Sequence, residues 1–189
     1  MAKRVLSLIF AFLFIVAFAS CEEDFAEAPE TLAQETTATT YAEESAQSNP
    51  ARDFTVYDKD GKEVKLSDLK GMPVVLNFWA SWCPPCKSEM PTFNAIAKEY
   101  EGKVAFMMVN LTDGVSETQE SAQSYIDSMG FTFPVYFDLM SEAAYTYGIQ
   151  SIPTTFFIDA DGNVVASYVG AMEARTLLTG IAMIYEEGK

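Results

Sequence analysis

Histidine is absent from all 189 residues. That removes His-dependent triads, His-ligated zinc or haem, and His general bases together. Basic residues are scarce, with 12 Lys and Arg against 27 Asp and Glu and a net charge of -15. This balance argues against a nucleic-acid partner, because phosphate neutralisation needs clustered Lys and Arg. Cysteine is limited to three, too few with no histidine to build a zinc site of four ligands. What remains for chemistry is carboxylates, hydroxyls, lysines and those thiols. Hydrophobic residues make up 49% of the chain, enough for a packed core, and the length suits one ordinary domain.

Lys3 and Arg4 precede a low-polarity run, Val5–Ala19, which stops short of the roughly 20 apolar residues of a membrane span. A basic start followed by a short apolar stretch predicts a signal peptide over residues 1–20. Two cleavage readings compete. Ala17-Phe18-Ala19 satisfies the small-x-small rule and would leave Ser20 first. Phe18-Ala19-Ser20-Cys21 instead resembles the lipobox of bacterial lipoproteins, with Phe18 where that pattern prefers Leu. Lipidation of Cys21 accounts for the odd thiol in an exported protein. An uncleaved anchor is the third reading. Residues 22–50 hold eight Asp or Glu and no Lys or Arg, the composition of a self-repelling, disordered tether. A flexible coil of that length spans about 30 Å r.m.s..

From residue 51 the pattern is that of a folded domain running to 189. Asp53–Tyr57 and Glu63–Leu66 alternate about an Asp60-Gly61 turn and predict a hairpin. Val74–Trp79 is apolar on both faces, as a central strand covered by helices would be. A helix is predicted from Pro84 to about Tyr100, with Met90, Phe93, Ile96, Ala97 and Tyr100 on its buried stripe. A strand over Val104–Leu111 follows, then a polar-faced helix over 116–129 closed by Gly130. Phe133–Phe137 reads as a strand and Ser141–Tyr147 as a short helix. Thr154–Ile158 and Val164–Val169 form a second hairpin around Asp161-Gly162, with a two-residue type of turn, and Glu173–Glu186 is the closing helix. The predicted fold class is α/β: a central mixed sheet flanked by helices.

The chemistry concentrates in Trp82-Cys83-Pro84-Pro85-Cys86, where an apolar strand hands over to a helix. Pro84 suits the first helical position and places Cys83 at the N-cap, beside unsatisfied N–H groups and the positive end of the helix dipole. A thiolate is stabilised there. Cys86 falls in the first turn, near enough for a disulfide, so an accessible Cys83 and a shielded Cys86 are expected to form a dithiol/disulfide couple. As a static staple the bridge would close a loop too short to restrain the unfolded chain much. Redox exchange is the stronger reading. Lys87 adds positive charge beside the thiols or is simply exposed. Trp79 and Trp82 screen the site or serve as core and rim, and Met107 and Met108 fill the core.

The stretch Asn77–Cys86, with Gly148-Ile149-Gln150-Ser151-Ile152-Pro153-Thr154-Thr155 downstream, resembles the extracytoplasmic thiol-disulfide oxidoreductases of the TlpA/ResA type. The resemblance covers about residues 51–189. It implies a thioredoxin fold with an N-terminal β-hairpin and a helical insertion, matched by the 116–129 helix. It further implies a cis Ile152–Pro153 bond against the disulfide, with the Ile152 backbone open to a substrate chain. Glu89, expected in the first turn of the helix on the side of Cys86, would manage the cysteine protons. Thioredoxins bury an Asp where this chain has Asn77, which does not titrate. Cys83, Cys86 and Glu89 are therefore the expected catalytic residues, and Trp82, Pro84, Pro85, Ile152 and Pro153 the expected substrate-binding ones. No cofactor or metal is implied. The implied partners are disulfide-containing protein substrates, such as apocytochrome c or envelope proteins, and a CcdA/DsbD-like membrane electron donor. The implied location is the outer side of a bacterial membrane, tethered by a signal anchor or by lipid, here the lipid on Cys21. Oxidase or isomerase activity is the enzymatic alternative. No Pro-x-x-x-Thr-x-x-Cys motif points to a peroxidase. A non-catalytic tethered binding module is disfavoured by the presence of both cysteines.

Overall fold

A computed structural model describes residues 48–188. The expected signal peptide, most of the tether and Cys21 lie outside the described residues. In chain order the elements are β1 (Thr55–Tyr57), β2 (Glu63–Lys65), a 3-10 turn (Leu66–Leu69), β3 (Val74–Trp79), α1 (Pro84–Glu99), β4 (Ala105–Asn110) and α2 (Gln119–Met129). They continue with β5 (Val135–Phe137), α3 (Glu142–Thr146), β6 (Thr154–Ile158), β7 (Val164–Val169) and α4 (Ala174–Ile184). The strands form one sheet in the order β2-β1-β5-β4-β3-β6-β7. β3, β4 and β5 run parallel, while β6, β7 and the β1–β2 hairpin are antiparallel to their neighbours.

Strand parity divides the core. Side chains alternate across a sheet with period two, so Val75 and Trp79 of β3, Phe106 and Met108 of β4 and Phe157 of β6 share one face. That face is covered by Met90, Phe93 and Ile96 of α1, Ala122 and Ile126 of α2, and Leu177, Ile181 and Ile184 of α4. Val74, Leu76 and Phe78, with Met107, Val109 and Ile158, take the other face against Phe54, Val56, Leu66 and Ala143. Met107 and Met108 are both fully buried, as expected. Gly180 lets α4 lie directly on β6: a Cβ there would run into the Phe157 ring.

Three details differ from expectation. α2 starts at Gln119 rather than residue 116. Asp113 Oδ1 accepts the N–H groups of Val115, Ser116 and Glu117, which folds those residues into a loop before Thr118 caps the helix through Ser121 N–H. The β6–β7 turn is longer than the two-residue type, because Asp159 and Asn163 close it through Asp159 N–H to Asn163 O and Asn163 N–H to Asp159 Oδ1. Asn49 and Pro50, read as the end of the tether, are tied to this hairpin by Val164 N–H on Asn49 O and by a Pro50–Asn163 bridge. Among the described residues no helix is long and apolar enough to cross a membrane.

Candidate active site

Cys83 is the N-cap of α1, with extended backbone at φ -87° and ψ 107°, and prolines fill the first two helical positions. Neither proline has an N–H, so the first donor presented at this helix end belongs to Cys86. Cys83 Sγ takes it at 3.2 Å. Lys87 N–H then donates to the Cys83 carbonyl and begins the helical ladder. The two sulfurs are joined as a Cys83–Cys86 disulfide with Cα atoms 5.3 Å apart.

The expected contrast between an open and a shielded sulfur is weak. Cys83 retains 2% exposure and Cys86 none. Ile152 accounts for the cover: its side chain packs on the same core cluster and its carbonyl oxygen lies 3.7 Å from Cys83 Sγ. The Ile152–Pro153 peptide is cis. Gly170 N–H donates to the Pro153 carbonyl, which fastens this turn to the chain leaving β7. Trp82, at 55% exposure, stands at the rim, and Pro84 and Pro85 are exposed beside it. Trp79 separates from this group. It is wholly buried, packs against Tyr125 at 6.2 Å, and its Nε1–H finds no partner among the described residues. Lys87 is exposed, with Nζ 5.2 Å above the Tyr125 ring of α2.

Glu89 lies in the second turn of α1, not the first. Cys83 occupies the cap, so the sixth helical residue is beyond the turn where the dipole acts strongly. Its setting is set by tertiary contacts instead. At 2% exposure it accepts Asn77 Nδ2–H at 2.9 Å on Oε1 and the Met172 backbone N–H at 2.8 Å on Oε2. Burial raises its pKa from 4.5 to about 7, and these two hydrogen bonds limit the rise. Asn77 also donates to Thr155 Oγ1 at 2.9 Å. The residues pair directly across β3 and β6, and their odd parity points both toward the α1 side. Among the described residues Asn77 Oδ1 finds no partner.

Sequence reasoning missed Thr155, Met172 and two other buried carboxylates. Thr155 meets Asn77 only through the β3–β6 register and the Met172 contact is a backbone donor, so neither carried a signal in the sequence. Glu117 is wholly buried and accepts from Ser81 N–H and Oγ–H. Asp138 accepts the N–H groups of Ala143 and Ala144 at the start of α3, and burial raises its pKa against those bonds. Among the described residues no group of three or more Cys, Asp or Glu is placed to hold a metal ion.

Residues 48–167 match the model of the AhpC/TSA family. The thiol-disulfide oxidoreductase ResA of Bacillus anthracis is 39% identical over 120 residues, 64% of this chain and 68% of that protein. The crystal structure of StoA from Bacillus subtilis superposes with a TM-score of 0.60 at 30% identity, covering 68% of this chain and 96% of StoA. The pneumococcal exposed lipoprotein thioredoxin Etrx1 from Streptococcus pneumoniae gives 0.62 at 33% identity, covering 69% and 98%. This chain belongs to the AhpC/TSA family, and within it is a thioredoxin-fold thiol-disulfide oxidoreductase of the ResA type.

Proposed function

We propose that the protein reduces protein disulfides on the outer side of a bacterial membrane, with Cys83 as the attacking thiol. The observation that carries this reading is Cys83 Sγ at the cap of α1, hydrogen-bonded by Cys86 N–H. That donor and the helix N-terminus favour a thiolate at Cys83. In the reduced protein the Cys83 thiolate attacks one sulfur of a substrate disulfide, and the other substrate sulfur leaves as a thiolate. The Cys86 thiolate then attacks Cys83 Sγ, which expels the second substrate sulfur and forms the Cys83–Cys86 disulfide. Two electrons have passed to the substrate. Cys86 must lose a proton on the way, and Glu89 is the base we assign to that task, held at a pKa of about 7. Trp82, Pro84 and Pro85, exposed around the cysteines, would receive the substrate chain together with Ile152 and the buried Pro153.

Compartments outside the cytoplasm are oxidising, so the spent disulfide has to be recharged by a membrane electron donor of the CcdA/DsbD kind. Lipid on Cys21, a tether that ends before Asn49 and the domain from there on complete the reading, with apocytochrome c or envelope proteins as substrates. Etrx1, an exposed lipoprotein thioredoxin by description, supports the lipid anchor. The midpoint potential of the Cys83–Cys86 couple in thiol redox buffers is the test. A value near about -270 mV, as in thioredoxin, is expected; one near about -120 mV, as in a strong oxidant, would reverse the direction. In a cell extract Cys86→Ser should accumulate thiol-sensitive adducts, and their absence would refute the two-step exchange.

A further inference from the structure

Glu117 has no exposed surface, and among the described residues it forms no ion pair. A buried, unpaired carboxylate is costly unless its oxygens are satisfied. Oε2 accepts Ser81 N–H at 2.8 Å and Ser81 Oγ–H at 2.9 Å, and Oε1 lies 3.1 Å from Ser121 Oγ in the first turn of α2. Ser81 sits inside the turn that delivers Cys83, a turn closed by Cys83 N–H on the Ala80 carbonyl at 3.2 Å. On the opposite side, Glu117 is held by a loop wound around Asp113 Oδ1 and by its own carbonyl, which accepts Gly114 N–H. A braced carboxylate therefore grips the outer wall of the redox turn at two points.

We propose that Glu117 is a positioning residue for the redox pair: through Ser81 it fixes the Ala80–Cys83 turn, and so holds Cys83 Sγ over the Cys86 N–H. The inference rests on the reading of Cys83 as the attacking thiol. Stabilisation of a thiolate by a helix end fades within one turn, so a small displacement of the cap weakens it. The direction of the effect separates position from charge. Removing a nearby negative charge would by itself lower the Cys83 pKa. Releasing the turn would raise it.

The test uses the full chain in its reduced form, comparing wild type with Glu117→Ala, Glu117→Gln and Ser81→Ala. The rate of Cys83 alkylation by iodoacetamide is followed against pH, beside thermal unfolding. Glu117→Ala should move the profile upward and slow alkylation about tenfold on its acid side, the equivalent of one pKa unit. Glu117→Gln keeps an oxygen for both Ser81 donors and should show no upward shift. A folded Glu117→Ala protein with an unmoved or lowered profile would overturn the proposal, even if its melting temperature falls. Should Glu117→Ala fail to fold, Ser81→Ala decides: an upward shift supports positioning and an unmoved profile refutes it. Cys83→Ser keeps the two readings apart. If it still reduces a protein disulfide, the assignment of the attacking thiol fails; if it is inactive while Glu117→Ala behaves as wild type, only the positioning role fails.

Discussion

Replacing Glu89 by Gln should flatten a specific part of the pH dependence of folding. The carboxyl of Glu89 titrates near 4.5 when exposed and at about 7 in the oxidised, folded protein. Between those values the folded state holds a proton that the unfolded chain has released. Protonated burial is therefore fully tolerated below about pH 4.5, and stability falls as pH rises toward 7. With about 1.4 kcal/mol per pKa unit, the loss is on the order of 3 kcal/mol. Glu89 is almost wholly buried, so solvent screening takes little from that figure. Asp138 shifts in the same direction but is common to both proteins and cancels in the comparison. Urea unfolding of the oxidised wild type and Glu89→Gln, in steps from about pH 4.5 to 8, yields the difference directly. Stability of wild type relative to the variant should drop across this window and level off above it. A difference that stays constant with pH would show that Glu89 titrates as an exposed carboxyl, and would remove it as the proton acceptor.

Other substitutions test the packing around this carboxyl. Asn77→Asp puts a second carboxyl where Nδ2 now lies 2.9 Å from Glu89 Oε1; one proton should be shared, and carboxyl NMR should show a group titrating well above 7. Two separate carboxyls titrating below 6 would refute the closeness of the pair. Gly180→Ala should destabilise by about 1–3 kcal/mol, because the new methyl meets the Phe157 ring. If thermal unfolding shows it stabilised, as helix propensity alone would favour, α4 does not lie as close to β6 as described. Phe93→Ala empties a fully buried site packed edge-to-face on Phe106 and should cost about 3–5 kcal/mol in urea unfolding. A cost below about 1 kcal/mol would mean the α1–sheet core is loose.

What was legible in the sequence is what is local. Cys83 and Cys86 are three residues apart, and two prolines fix the cap between them, so the geometry of that turn follows from short-range rules. Val74–Trp79 reads as central because every position but Asn77 is apolar; parity then predicts which side chains meet α1. The start of α2 was not legible by apolar spacing, since it is decided by Asp113, whose side chain draws the next N–H groups into a loop. Glu89 was picked out by resemblance and its turn was misplaced. Its actual environment depends on Asn77, on a backbone donor at Met172 and, through Asn77, on Thr155, all supplied by other elements. Glu117 carried no sequence signal at all, because its partner Ser81 lies 36 residues away on another loop.

The same division has a consequence for assembly. The Cys83–Cys86 cap spans three residues and can form as soon as the first turn of α1 does, whereas Glu89 and Met172 are 83 residues apart. A chain lacking the segment leading into α4 would therefore carry the Cys83–Cys86 pair with Glu89 in reach of Asn77 but without the Met172 donor on Oε2. Contacts of that range are closed late and slowly. Until that segment docks, the dithiol can attack any neighbouring disulfide while Glu89 lacks one of its two hydrogen-bond donors.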